Sequence, residues 1–385
     1  MGGIKMTATT DWKQLREQFP ALRGCTYLNT ATYGQLPVRT VAAVQAHFAR
    51  RDALACRDFL GWFDDMDDLR ALVGRLIHCQ PADVAFLSSA AEALSLFLGG
   101  LDWKPGDKIA TLPDEFPNQF YYGRFLGQRG VELVEVPELS ELPVGTKAVV
   151  LSTASYSNGY TPDLDRICRM AREAGALIYI DGTQSVGALR FDVGALRPDM
   201  FAVDPYKWGL APNGASYMYV SPELRRVLDP AVIGWRSDKG WRSVDSLNKG
   251  APEFPDGADR YEGGMLNFPS LYGLAESIRM MLEIGPEVIE ARVLDLAEKT
   301  GAALEAVGAT IVNKGTHIVA ARFEGLEASA LARGLAARGI IVAARHGNLR
   351  VAAHIYNDES DIAALVHEIG LAAIQALRQD PATLK

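Results

Sequence analysis

Neither glycine-rich phosphate loop common in nucleotide-binding α/β proteins is present. No G-x-G-x-x-G follows a strand-like run, and no G-x-x-x-x-G-K-[ST] occurs. A nicotinamide-dependent oxidoreductase or an ATP enzyme is therefore disfavoured. Cysteine is scarce: Cys25, Cys56, Cys79 and Cys168 are scattered, with no C-x-x-C. They read as idle thiols of a reducing compartment rather than a redox pair or a disulfide frame. The six histidines show no pairing at metal-ligand spacing, so no metal site is expected. No apolar run is long enough to cross a bilayer. The opening MGGIKMTATT holds no signal core, and Met6 stands where a myristoylation pattern needs Ser or Thr. Met6 is itself a candidate native start, with Met1–Lys5 ahead of it. A cytoplasmic location is expected. Positive charge is also lacking: the net charge of −8 argues against nucleic acid or an anionic membrane as the main partner.

What is present fits a globular chain of 385 residues, too long for one ordinary core. Residues 35–80 carry apolar positions at helical spacing. Short apolar runs then alternate with helical stretches: DVAFL, DKIATL, VELVEV, AVVLST, LIYI and MFAV. That rhythm predicts an α/β domain with a largely parallel sheet. From Pro269 one long helical stretch is expected to about Val307, followed by a smaller α+β unit ending in a helix to about Leu377. No repeat or low-complexity tract interrupts the chain. The expected organisation is an N-terminal segment (1–24) associated with the small domain, a large α/β domain (25–270), and a linking helix with a small C-terminal domain (271–385).

Two strand ends carry the chemistry. LIYI runs straight into Asp181, and MFAV runs into Asp204, Pro205, Tyr206, Lys207 and Trp208. In parallel α/β sheets ligands bind at the carboxyl ends of strands. A lysine desolvated between aromatics has a depressed pKa and attacks carbonyls. An acid opposite a heterocyclic nitrogen keeps that nitrogen protonated. Together they describe a pyridoxal phosphate site, with a Schiff-base lysine and an acidic partner for the pyridinium.

AREAGALIYIDGTQSVGAL and YKW, within a pattern running from YLNTATYGQLP to LRVAAHIYN, resemble the aminotransferase class V family of fold type I pyridoxal phosphate enzymes. That family includes cysteine desulfurases, kynureninases and isopenicillin N epimerase-like proteins. The resemblance implies the fold: a large domain with a mainly parallel sheet plus a small C-terminal α+β domain. It also implies roles. Asp181 would bind the pyridine nitrogen, Gln184 the ring hydroxyl, and Lys207 the cofactor carbon. Phe116 in DEFPNQ would stack on the ring, and Tyr206 would reach the phosphate. LSSAAEAL would be the phosphate loop, with Ser88 or Ser89 and the amides of Ala90 and Ala91. Ala90 and Ala91 stand where many relatives have Thr or Ser. In YEGGMLNFPS, Gly264 and Met265 would reach the cofactor phosphate of a neighbouring subunit, making the enzyme a homodimer with interface sites.

Arg350 matches the arginine that takes the substrate α-carboxylate, so a small α-amino acid is the expected substrate. Tyr156 and Asn158 lie where relatives contact substrate or cofactor. A desulfurase would need a nucleophilic cysteine just before the Arg350 strand, and VAARHGNLRV has none. Aminotransferase is the leading reading. Kynureninase-like or C–S β-lyase chemistry is the alternative, supported by Phe116 and the Gly234-Trp235 pair, with epimerase behind it. A non-catalytic pyridoxal phosphate-binding regulatory protein is the reading outside enzymology.

Overall fold

In a computed structural model, residues 10–379 are described. The calls on Met1–Lys5 and Met6 lie outside them. Strand β1 (Thr26–Tyr27) comes first. The next seven strands are β2 (Val84–Leu87), β3 (Lys108–Thr111), β4 (Glu132–Glu135), β5 (Thr146–Ser152), β6 (Leu177–Asp181), β7 (Met200–Val203) and β8 (Ser216–Val220). They form one sheet in the order β2-β8-β7-β6-β5-β3-β4. Pairing is parallel from β7 through β4, while β8 runs antiparallel to both β7 and β2. The sheet is thus mainly parallel, as the alternating runs predict. β7 is apolar through its length and β6 is apolar up to its last residue, Asp181; both lie in the middle, buried on both faces. Helices cover both sides, including Ala90–Gly99 after β2 and Leu164–Glu173 after β5.

The second sheet is antiparallel. It contains β9 (Ala309–Ile311), β10 (Val319–Phe323), β12 (Ala343–Arg345) and β13 (Asn348–Val351), in the order β12-β13-β10-β9. Its own apolar core includes Leu296, Leu304, Leu331, Leu349 and Leu365. β11 (Ile340–Ile341) pairs with β1, tying the chain's beginning to this C-terminal region. Arg16 reinforces the tie through a two-pronged contact with Asp361 at 2.6 and 3.0 Å.

The long helix expected from Pro269 to Val307 is two helices, Phe268–Ile284 and Pro286–Ala306. Gly285, at φ 99°, ends the first, and Pro286, which has no N–H to donate, starts the second. Two pieces of backbone need glycine to approach the Lys207 loop. A Cβ on Gly34 would lie 1.9 Å from the Lys207 carbonyl oxygen, and one on Gly187 would lie 2.2 Å from that of Trp208.

Candidate active site

The carboxyl ends of β5, β6 and β7 open into a pocket lined in part by Ser152, Asp181, Gln184, Asp204, Tyr206 and Lys207. Phe116, Asn118, Tyr156 and Ala90 close its sides. The sheet order therefore brings together residues spread from 90 to 207, because each strand delivers its last residue to the same edge.

Asp181 is buried, and its Oδ1 accepts a hydrogen bond from the Thr183 N–H at 2.9 Å. Burial pushes its carboxyl pKa up, against the pull of the Thr183 bonds and of Lys207. No described cation lies within 4.0 Å of it, so a buried carboxylate faces the pocket without an ion-pair partner. Lys207 is its complement. Burial lowers the amine pKa to about 8, with Asp181 resisting and Arg350 assisting. Its Nζ lies 5.4 Å from the ring centres of both Phe116 and Tyr206. No hydrogen bond or ion pair to another described residue fixes it.

The Lys207 loop is clamped through Trp208 and Gln184, together with two buried histidines that the sequence pattern does not mark. Trp208 is fully buried, and its Nε1 donates to Gln184 Oε1 at 3.1 Å. Gln184 Nε2 donates in turn to the Ala31 carbonyl at 3.1 Å. Two buried histidines bracket the Trp208 ring, with centroids 4.7 Å (His317) and 5.5 Å (His354) away. Their Nε2 atoms donate to the backbone oxygens of Gln184 (2.5 Å) and Trp208 (2.9 Å). Burial lowers both imidazole pKa values to about 4, so both are neutral. Isolated histidines in segments flanking apolar strands give no sequence signal for such a clamp.

Glu115 holds Ser152, a residue of the pocket lining. The Ser152 N–H and hydroxyl donate to its two oxygens at 2.6 and 2.5 Å. Burial raises its pKa to about 7 despite those bonds, with Asp181 adding to the rise.

At the other end, Ser88 and Ser89 act as helix caps. Ser89 Oγ accepts the Glu92 N–H at 3.2 Å, while the Ser88 N–H and hydroxyl bind the Glu92 carboxylate. Ala90 lines the pocket together with Asp204, an acid absent from the expected phosphate site. Ser89 and Ala91 stand outside the lining. Gly264 and Met265 do not reach the pocket, and Met265 is 59% exposed.

Arg350, on β13, is 1% exposed. Its Nη1 donates to the Tyr156 carbonyl at 2.5 Å, and its Nη2 to Asn29 (3.2 Å) and Thr32. Its Nε is buried without a partner. Burial and the nearby Arg345 lower its pKa to about 9, which leaves it charged at neutral pH. Arg350 thus stands behind Tyr156 rather than in the pocket wall. Tyr156 does line the pocket, packing edge-on against Phe116 with ring centres 5.3 Å apart. Asn158 does not: its Nδ2 bonds Asp114 at 3.3 Å and its Oδ1 the Tyr160 N–H at 2.8 Å. Asn118, not anticipated, takes a place in the lining.

The donor set fits pyridoxal phosphate at the ring and the lysine. A buried carboxylate without a cation, a depressed lysine with no acceptor and an aromatic wall meet in one pocket. No cysteine belongs to that lining. Cys168 is buried in the Leu164–Glu173 helix, and burial raises the Cys79 thiol to about 12.

A family model described as Aminotransferase class-V matches residues 26–365. A probable cysteine desulfurase of Methanothermobacter thermautotrophicus is 26% identical, covering 77% of this chain and 76% of its own. An uncharacterized aminotransferase of Bacillus subtilis is 25% identical, over 94% of this chain and 98% of that one. Among solved structures, a variant of the C–S lyase C-DES with glycine linked to its pyridoxal phosphate superimposes with a TM-score of 0.85 at 21% identity, over 92% of this chain and 98% of that one. This likeness shows the fold. From the match over residues 26–365 and the pocket geometry, the chain belongs to the class-V aminotransferase family and is a pyridoxal phosphate-dependent enzyme.

Proposed function

We propose that this enzyme is an aminotransferase acting on an α-amino acid, with Lys207 as its covalent anchor and its proton carrier. The observation that carries the reading is Lys207 itself, a buried amine with a pKa near 8 and no fixed partner, in a pocket without a thiol. The bound cofactor supplies an electron sink for the carbon beside the substrate nitrogen. The chain's residues do the rest. Lys207, when neutral, takes the α-proton and returns it at another carbon. Asp181 holds the opposite charge at the ring nitrogen, and Thr183 fixes that carboxylate. Phe116 and Tyr156 exclude water from one side. Arg350 supplies the charge for the α-carboxylate, its buried Nε being the donor without a partner. Gln184, Tyr206, Ser89, Ala90 and Ala91 would complete the cofactor contacts.

The Bacillus relative named as an aminotransferase supports this reading over its whole length. The active unit would be a homodimer. Ile233 and Met265, 61% and 59% exposed, give an apolar surface around the loop meant for the neighbouring site. The described helices include none long and apolar enough to cross a membrane. The four free cysteines suit a reducing cytoplasm.

The test is product analysis with a panel of amino acids and keto-acid acceptors. Keto acid formed in step with amination of the acceptor is the expected result. Ammonia with pyruvate or alanine would replace this reading with a lyase.

A further inference from the structure

Two guanidinium groups meet at one threonine. Arg350 Nη2 donates to Thr32 Oγ1, and Arg345 Nη2 approaches the same oxygen at 3.5 Å. The hairpin explains why. Arg345 pairs with Asn348 across β12 and β13, and Arg350 is two residues further along β13. Side chains at Arg345, Asn348 and Arg350 therefore share one face of the sheet. The turn between the strands, His346-Gly347, has φ of 47° and 75°, the left-handed pair that a two-residue hairpin uses. Arg345 is thus fixed at the base of a tight turn, not on a loose loop.

Its charge is felt across the site. Arg345 opposes the charge on Arg350 and on Lys207, and it favours ionised Tyr156. Yet neither arginine has a carboxylate within 4.0 Å among the described residues. Asp114, the acid on this rim, is occupied by Asn158 at 3.3 Å and His346 at 3.6 Å. Arg345's own bonds go to the Ala344 carbonyl (2.7 Å) and Thr32. Two like charges held together beside a lysine destabilise one another unless an anion joins them. One α-carboxylate needs only one fork. The second is available to a second acid group.

We propose that the substrate is an α-amino acid with a second carboxylate on its side chain, Arg350 taking the α-carboxylate and Arg345 the side-chain carboxylate. On the same rim the Tyr156 hydroxyl and His346 Nε2 hydrogen-bond each other at 3.0 Å. The assignment rests on Arg350 as the α-carboxylate anchor, but not on which reaction follows.

Equilibrium binding separates these ideas, because unreactive acids need no turnover. Propionate, butyrate, succinate and glutarate are titrated into the holoenzyme by calorimetry, while the cofactor band and circular dichroism verify the fold of each variant. Wild type should bind the dicarboxylates about tenfold or more tighter than the monocarboxylates. Arg345→Gln should erase that preference while leaving the monocarboxylates bound as before, and Arg345→Lys should restore part of it. No dicarboxylate preference in wild type overturns the proposal. So does an Arg345→Gln variant that weakens both classes equally, since Arg345 would then serve the α-carboxylate or merely support Arg350. Arg350→Lys should weaken both classes, and if it weakens neither, the anchor reading fails first. A lyase product pattern would change the proposed reaction and leave the dicarboxylate result standing.

Discussion

Lys207 owes its lowered pKa to burial, and Asp181 pulls in the opposite direction. The consequence is a pH profile. A free lysine near 10.4 is almost wholly charged at pH 7, whereas one near 8 is about a tenth neutral. The neutral fraction rises with pH, so capture of added pyridoxal phosphate by the apoprotein should accelerate up to a midpoint near 8 and then level off. Stopped-flow absorbance checks this, and a profile still climbing past pH 10 would mean that Lys207 is solvated. Asp181→Asn should keep the fold, since Thr183 can still bond the amide, yet lose most turnover because an amide cannot hold a pyridinium proton. Steady-state rates near wild type would reduce Asp181 to a structural acid. Asp181 was legible in the sequence because it ends an apolar run, and Lys207 because it stands between two aromatics just beyond one. His317, Arg345 and Asn118 were not, because their roles come from neighbours far away in the chain.

Among elements, those whose burial is written in their own residues were the readable ones. β6 up to Asp181 and β7 are continuous apolar runs, and both appear as expected. β1 is only two residues long and exists through pairing with β11, more than three hundred positions away. The loop Glu262–Met265 shows the same dependence. Glu262 bonds Arg70 at 2.7 Å and Arg236 at 2.9 Å, all three buried, and it also accepts the Phe86 N–H at 2.8 Å. This triad pins the loop proposed to serve the neighbouring subunit to β2 and the Phe59–Ile77 helix. Glu262→Gln leaves Arg236 without a carboxylate partner and Arg70 with only Asp67 at 3.4 Å, so unfolding stability should fall by about 3–5 kcal/mol. A chemical-denaturation shift well under 1 kcal/mol would show that solvent reaches the triad.

At the scale of the whole molecule, the two sheets are joined at the Lys207 loop by neutral histidines. His317 and His354 come from segments flanking β10 and β13, while their acceptors, the Gln184 and Trp208 carbonyls, belong to the large sheet's site. The folded pKa values, about 4, lie below the ordinary value of 6.5 in each case because of burial. For such a depressed pair the native state refuses protons that the unfolded chain accepts. Stability is therefore full above about pH 6.5 and falls as pH drops toward 4, by roughly 2–4 kcal/mol for each histidine. Glu115 acts with the opposite sign. Its folded pKa, raised to about 7 from the usual 4.5, favours the native state below pH 4.5 and loses that contribution as pH rises toward 7. Burial also raises Asp181, Asp199, Asp204 and Asp259, which share the sign of Glu115. The acid loss of stability between pH 6.5 and 4 is the contribution of the two histidines. Urea unfolding of the holoenzyme at stepped pH measures it. The double variant His317→Gln, His354→Gln keeps an N–H to offer each carbonyl but binds no proton. It should start less stable at pH 7.5 because the ring packing on Trp208 is lost, yet its stability should decline much less with acid. If the variant's acid limb matches the wild-type slope, the clamp does not set the pH response, and the surface carboxylates must carry it instead.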